Sequence, residues 1–209
     1  MDSEKVTIIL VMKIDIYKPK DFVSKLNDFL ESDVEKNILI RGYFDDDKLY
    51  ATMYALQQSH EYVNGNVVLG SINLPSANEL FQRAITSNFP KFDLQRKIHT
   101  MGLNLSFSKY DREIDMPFGF EDSFTLFFPV ESVFFSKRDF SKLKHKIESS
   151  KADKNIFITT NDFSQRAEML YPFVDEVLVL DTTDLDDKHL STFETIKNNI
   201  ALEGETIPY

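Results

Sequence analysis

The chain has 209 residues, 42% of them hydrophobic, with 19 Phe, 8 Tyr, no Cys and a formal net charge of −10. Apolar area on this scale offsets chain entropy and excludes a disordered chain. The lack of Cys removes disulfides, thiolate metal sites, iron–sulfur clusters and cysteine nucleophiles. The charge is uneven: residues 1–112 carry 14 Lys/Arg against 15 Asp/Glu, residues 113–209 carry 10 against 19, and residues 155–209 carry three against eleven, a net of −8. Such a field repels nucleic-acid phosphate and attracts cationic partners, so the expected partner is a protein with a basic surface and not a nucleic acid.

At the start of the chain the apolar run Val6 to Met12 is too short for a membrane span, and it lacks the basic flank of a signal peptide. It reads as a buried strand over 6–14, in a cytoplasmic protein without membrane contact. Residues 19–30 follow as a helix, with Phe22, Leu26, Phe29 and Leu30 at helical spacing. Residues 37–44 and 48–56 read as a hairpin around the polar turn Asp45-Asp46-Asp47. A short strand over 67–72, a helix over 75–87 and a strand over 98–107 complete this half. The resulting order, β-α-β-β-β-α-β, is an α+β arrangement holding a ferredoxin-like pattern with one strand extra.

Residues 109–122 combine a charge cluster with Pro117 and Gly119 and mark a boundary between halves 1–112 and 113–209, which either form two units or share one sheet. Beyond it, strands over 124–130, 155–159 and 174–180 alternate with helices over 136–149, 162–171 and 187–200. Strands without polar alternation, separated by helices, indicate a parallel sheet covered on both faces. The expected class is therefore mixed α/β, with a Rossmann-like or flavodoxin-like β-α-β-α-β-α unit in the second half, where ligands sit beyond the strand C-termini.

The loops at those strand ends carry Thr160, Asn161 and Asp162, then Asp181 and Asp184, oxygen donors suited to a sugar, a ribose or a hard cation. The same residues are also suited to capping: Asp162 with Gln165 has capping-box spacing, as has Ser136 with Asp139, and Thr183 or Asp184 precedes an acidic helix start. Lys137 and Arg138 open a basic helix, with Lys142, Lys144 and Lys146 behind them, that could meet an anion. There is no G-x-G-x-x-G, P-loop, G-x-S-x-G or H-E-x-x-H pattern, so no cofactor, metal or catalytic residue is implied. His189-Leu190-Ser191 matches H-x-[ST] of two-histidine phosphoesterases only once, where that element needs two copies.

The Phe-dense segment 118–135 supplies either a thick aromatic core or an exposed anchor. Two functional expectations follow. The first is a non-catalytic acidic interaction module, an inhibitor, immunity protein or assembly subunit, using Phe118, Phe120, Asp175, Glu176, Asp186 and Asp187 against a basic partner. The alternative is a nucleotide- or nucleotide-sugar-handling enzyme, glycosyltransferase-like or phosphate-transferring, with Thr160, Asn161, Asp162, Asp181 and Asp184 on ligand and Lys137 or Arg138 on its anion. A scaffold role in a homo-oligomer is a third, weaker expectation.

Overall fold

The computed structural model describes residues 14–110, 118–160 and 162–209. The strand expected over 6–14 lies almost wholly outside these residues, as do Asn161 and the middle of the 109–122 boundary. Five helices occur among the described residues: α1 (Pro19–Glu31), α2 (Asp45–Ser59), α3 (Leu74–Ala84), α4 (Lys137–Glu148) and α5 (Asp187–Leu202). Eight strands are β1 (Asp15–Tyr17), β2 (Asn37–Arg41), β3 (Asn64–Leu69), β4 (Ile98–Thr100), β5 (Leu103–Lys109), β6 (Ser123–Phe128), β7 (Lys154–Ile158) and β8 (Glu176–Leu180). They form one sheet in the order β1-β8-β2-β7-β6-β3-β5-β4. Every pairing is parallel except that of β4 with β5.

That interleaved order follows from the handedness of crossover connections. The chain steps across the sheet from β1 through β2 to β3, placing α1, α2 and α3 on one face, where Phe22, Leu26, Leu49, Met53, Leu80 and Phe81 join one core. From β5 it steps back through β6 and β7 to β8. A right-handed crossover travelling in the opposite direction must cover the opposite face. Leu143 and Ile147 of α4, with Ala167 and Leu170, accordingly pack in a second core on that side. β6 and β7 lie between the two layers and are buried at every residue, which is why their sequences show no alternation.

Several elements depart from the sequence expectation. Residues 48–56 are not a strand but the body of α2, and Asp45, Asp46 and Asp47 are its first turn instead of an exposed hairpin turn. The alternation of Leu49, Ala51, Met53 and Ala55 with Tyr50, Thr52 and Tyr54 imitates a strand. Leu49, Thr52, Met53 and Leu56 nevertheless fall at helical spacing, and all four are fully buried. Three carboxylates also suit a helix N-terminus. The first half therefore continues the β-α alternation within the shared parallel sheet, in place of a ferredoxin-like set with an extra strand. The strand expected over 98–107 breaks into β4 and β5 at Met101 and Gly102, both at positive φ, as a two-residue hairpin turn requires. The expected helix over 162–171 is a 3₁₀ segment, Gln165–Phe173, that contains Pro172 and is capped by Ser164 instead of Asp162. Asp186, instead of Thr183 or Asp184, caps α5, while Ser136 caps α4 as its spacing predicts.

Candidate functional site

Ligands of open parallel sheets sit beyond the strand C-termini, where neighbouring strands send their connections to opposite faces. Among the four central strands, β2, β7, β6 and β3, two such points occur. At one, β2 leads to α2 and its neighbour β7 leads to the 3₁₀ segment. At the other, β3 leads to α3 and its neighbour β6 leads to α4.

The β2/β7 point is filled by the protein itself. Arg41, the last residue of β2, has no exposed surface and donates from Nε to Asp162 Oδ2 and from Nη2 to Asp162 Oδ1, both at 2.8 Å. It donates further to Tyr171 Oη and the Ser164 carbonyl, and its guanidinium lies 4.9 Å from the Tyr209 ring centroid. Asp162 also accepts from Thr159 Oγ1 and Tyr209 Oη, each at 3.1 Å. Burial alone would lower the arginine pKa, but the bonds and charge of Asp162 outweigh it and raise it. Lys48, equally buried, donates to the Gly42 carbonyl and reaches Asp45 at 3.3 Å. Nearby, Glu131 follows β6 with both carboxyl oxygens buried and no partner in hydrogen-bonding geometry. Burial pushes its pKa up to about 8 although the Lys48 charge pulls the other way.

The β3/β6 point is open. A cavity of about 320 Å³ is lined by Gly70, Ser71, Ile72, Asn73, Lys109, Tyr110, Ser132, Val133, Asp139 and Lys142. β3 runs alongside β6 to its end, where the Gly70 N–H donates to the Phe128 carbonyl at 3.0 Å. A Cβ on Gly70 would stand 2.2 Å from the Pro129 carbonyl oxygen and 2.4 Å from Ser132 Oγ, so only glycine lets the two chain segments meet there. Ile72, Val133 and the Tyr110 ring give the cavity an apolar component, and Tyr110 Oη is held by the Asp139 carbonyl at 2.7 Å. Lys142 is only loosely paired with Asp139, at 3.7 Å. Lys109 has no ion-pair partner among the described residues. Two lysines against one aspartate give the lining a formal charge of +1 within an otherwise acidic protein.

The residues expected as a ligand set do not converge. Asp162 is consumed by Arg41. Asp181 and Asp184 meet Lys18 at the β1/β8 edge, and burial acting against the Asp181 carboxylate is outweighed by bonds from Thr183 and Lys18 that lower its pKa. With β2 lying between them, β7 and β8 ends stand roughly 10 Å apart. Thr160 is half-buried at the β7 end, while Lys137 and Arg138 are exposed in the first turn of α4.

The residues expected as an interface are also dispersed. Phe118 is 2% exposed and packs on Phe127 and Phe157, which corrects its assignment to the surface, whereas Phe120 is 41% exposed under Lys97. Asp175 accepts from the Lys36 and Asn37 N–H groups at the entry of β8, and Glu176 beside it has its pKa raised by burial. Asp186 and Asp187 lie past the opposite end of that strand.

One further cluster escaped the sequence reading. His189 bonds Asp186 through Nδ1 at 2.8 Å and Asp47 through Nε2 at 3.1 Å, with Phe44 against its ring at 4.5 Å. Burial opposes the charge on this imidazole, but its two carboxylate partners outweigh burial and raise its pKa, and in the protonated form both ring nitrogens donate. Among the described residues no group of three or more His, Asp or Glu side chains could hold a metal ion, and no helix is long and apolar enough to cross a membrane. No protein-family model matches the chain, and no curated protein is significantly similar to it.

Proposed function

We infer that the chain is a binding protein or enzyme for a small phosphorylated molecule, on the scale of a mononucleotide or sugar phosphate, held in the β3/β6 crevice. The observation that carries this reading is the open cavity at that point, with Lys109 and Lys142 in its lining. A volume of about 320 Å³ falls at the small end of ligand pockets, roughly 300–1,000 Å³. Lysine ammonium groups and serine hydroxyls are suited to phosphate, and Tyr110, Ile72 and Val133 give the remainder of a ligand apolar contact. This keeps the nucleotide- or sugar-handling alternative but moves its site from the β7 and β8 loops to the β3 and β6 ends. Thermal-shift titration with nucleoside monophosphates and sugar phosphates against the matching nucleosides and sugars tests it. A stabilisation that needs the phosphate and vanishes in Lys109→Ala/Lys142→Ala supports the reading, and equal behaviour of phosphorylated and unphosphorylated compounds counts against it.

One observation favours the reading as an acidic interaction module. Ile200 is the one buried residue of α5, while Leu190, one turn from Asp187 and Glu194, is 50% exposed and Leu202 at the helix end is 86% exposed. A partner matching this surface would carry basic and apolar groups. Its association, followed by light scattering, should weaken as salt rises.

A further inference from the structure

The filled crevice at β2/β7 is a formed site with an occupant. Arg41 is held by Asp162, Tyr171 and the Ser164 carbonyl, and Asp162 by Arg41 and Thr159, without any contribution from Tyr209. Tyr43 is likewise kept in place by Phe163 and Phe193, with ring centroids at 6.5 and 5.0 Å. Taking Tyr209 away therefore leaves a slot with three directed features. A guanidinium face lies ready for an aromatic ring, Asp162 Oδ2 is ready to accept from a hydroxyl, and Tyr43 Oη is ready to donate to a carbonyl.

Tyr209 uses all three: its ring lies 4.9 Å from Arg41 Cζ, its hydroxyl donates to Asp162, and its main-chain carbonyl accepts from Tyr43 at 2.8 Å. The approach to it is loosely held. Residues 201–206 are exposed, and residues 206–208 make no hydrogen bond among the described residues. A groove of about 530 Å³ lies between Gly204, Glu205 and Thr206 on one side and Ser164, Gln165 and Arg166 on the other. The segment is thus pinned through Tyr209, by its side chain and its main-chain carbonyl, over a preorganised receptor.

We propose that the β2/β7 crevice is a binding site for a tyrosyl group, a phenol with an adjoining carbonyl, which Tyr209 fills in cis and which an external tyrosine or tyrosine-bearing peptide takes when Tyr209 withdraws. The cis occupant competes, so apparent affinity for an external ligand scales with the fraction of molecules in which the slot is vacant. The site is independent of the phosphate crevice, and its test does not require that crevice to bind anything.

The probe is N-acetyltyrosinamide, titrated by calorimetry and by thermal shift into full-length wild type and Tyr209→Ala, with N-acetylphenylalaninamide alongside. The expected result is binding to Tyr209→Ala at least about ten-fold tighter than to wild type, with the phenylalanine compound weaker because it cannot donate to Asp162. Should Tyr209→Ala fail to fold, Tyr209→Phe carries the same comparison, since it keeps the ring and loses only the hydroxyl bond. Absence of a difference between wild type and the folded variant, or equal binding of the two amides, overturns the proposal.

Discussion

Arg41 and Asp162 stand 121 positions apart in the sequence and meet as a two-bonded ion pair with side chains 0% and 2% exposed. The pair joins the end of β2 to the chain beyond β7, so it locks strands from both halves of the chain. Breaking it from one side leaves an uncompensated buried charge. Asp162→Asn is expected to lose about 3–5 kcal/mol, whereas Arg41→Met/Asp162→Leu recovers most of that loss. Urea unfolding midpoints of wild type, single and double variants check this.

Glu131 is a buried carboxyl whose protonated form suits the fold. Its pKa, raised from 4.5 to about 8, means that ionisation favours the unfolded chain, a penalty that builds from about pH 4.5 and levels off above pH 8. Glu131→Gln is expected to match wild type at pH 4 and to exceed it by up to ~3 kcal/mol at pH 7. Denaturant titrations at the two pH values measure the difference.

His189 carries the opposite sign. Burial opposes its charge, but Asp186 and Asp47 outweigh burial and raise its pKa above the ordinary 6.5. Its stabilising tie between α5 and α2 is therefore complete below about pH 6.5 and fades as pH rises through the raised value. The melting-temperature advantage of wild type over His189→Gln should be largest at pH 6 and shrink on the alkaline side. An advantage unchanged from pH 6 to pH 9 would show that the ring acts by packing against Phe44 alone.

Gly70 sets the width of the open crevice. Gly70→Ala places a methyl against the Pro129 carbonyl and Ser132 Oγ, which forces the β3 and β6 ends apart. Overpacking of this kind costs about 1–3 kcal/mol. The variant should melt lower than wild type and lose phosphate-dependent stabilisation, while Gly102→Ala, where a methyl meets open space, leaves ligand response intact despite its positive φ.

Local features were readable in proportion to how local their causes are. The α4 cap at Ser136, the α1 stripe from Phe22 to Leu30 and the unbroken apolar runs of β6 and β7 all depend on neighbours within a turn or a strand. The sequence of α2 is ambiguous, because Leu49, Ala51, Met53 and Ala55 satisfy the strand period while Leu49, Met53 and Leu56 satisfy the helical one. Only burial on the sheet decides between the two. The interleaving of β8, β2 and β7 rests on parallel pairings between residues more than a hundred positions apart, which no window of sequence contains. For the same reason Asp162 read as a cap, its partner Arg41 being remote. Of the crevice residues, Lys142 stood out within a basic helix and Lys109 within a charged boundary, but nothing linked them. The available signal was Gly70-Ser71 directly after the apolar Val67-Val68-Leu69 and ahead of the Asn73 cap of α3, a strand, a glycine and a helix start in succession.

Calorimetric titration of the best-stabilising phosphorylated compound into wild type and Lys109→Ala/Lys142→Ala is the most direct measure of the central claim. Saturable one-to-one binding by wild type, weakened at least about ten-fold in the double variant, is the outcome expected from two lost charge-assisted contacts. Unaltered affinity in a folded double variant would place the ligand elsewhere and contradict the β3/β6 crevice as the site.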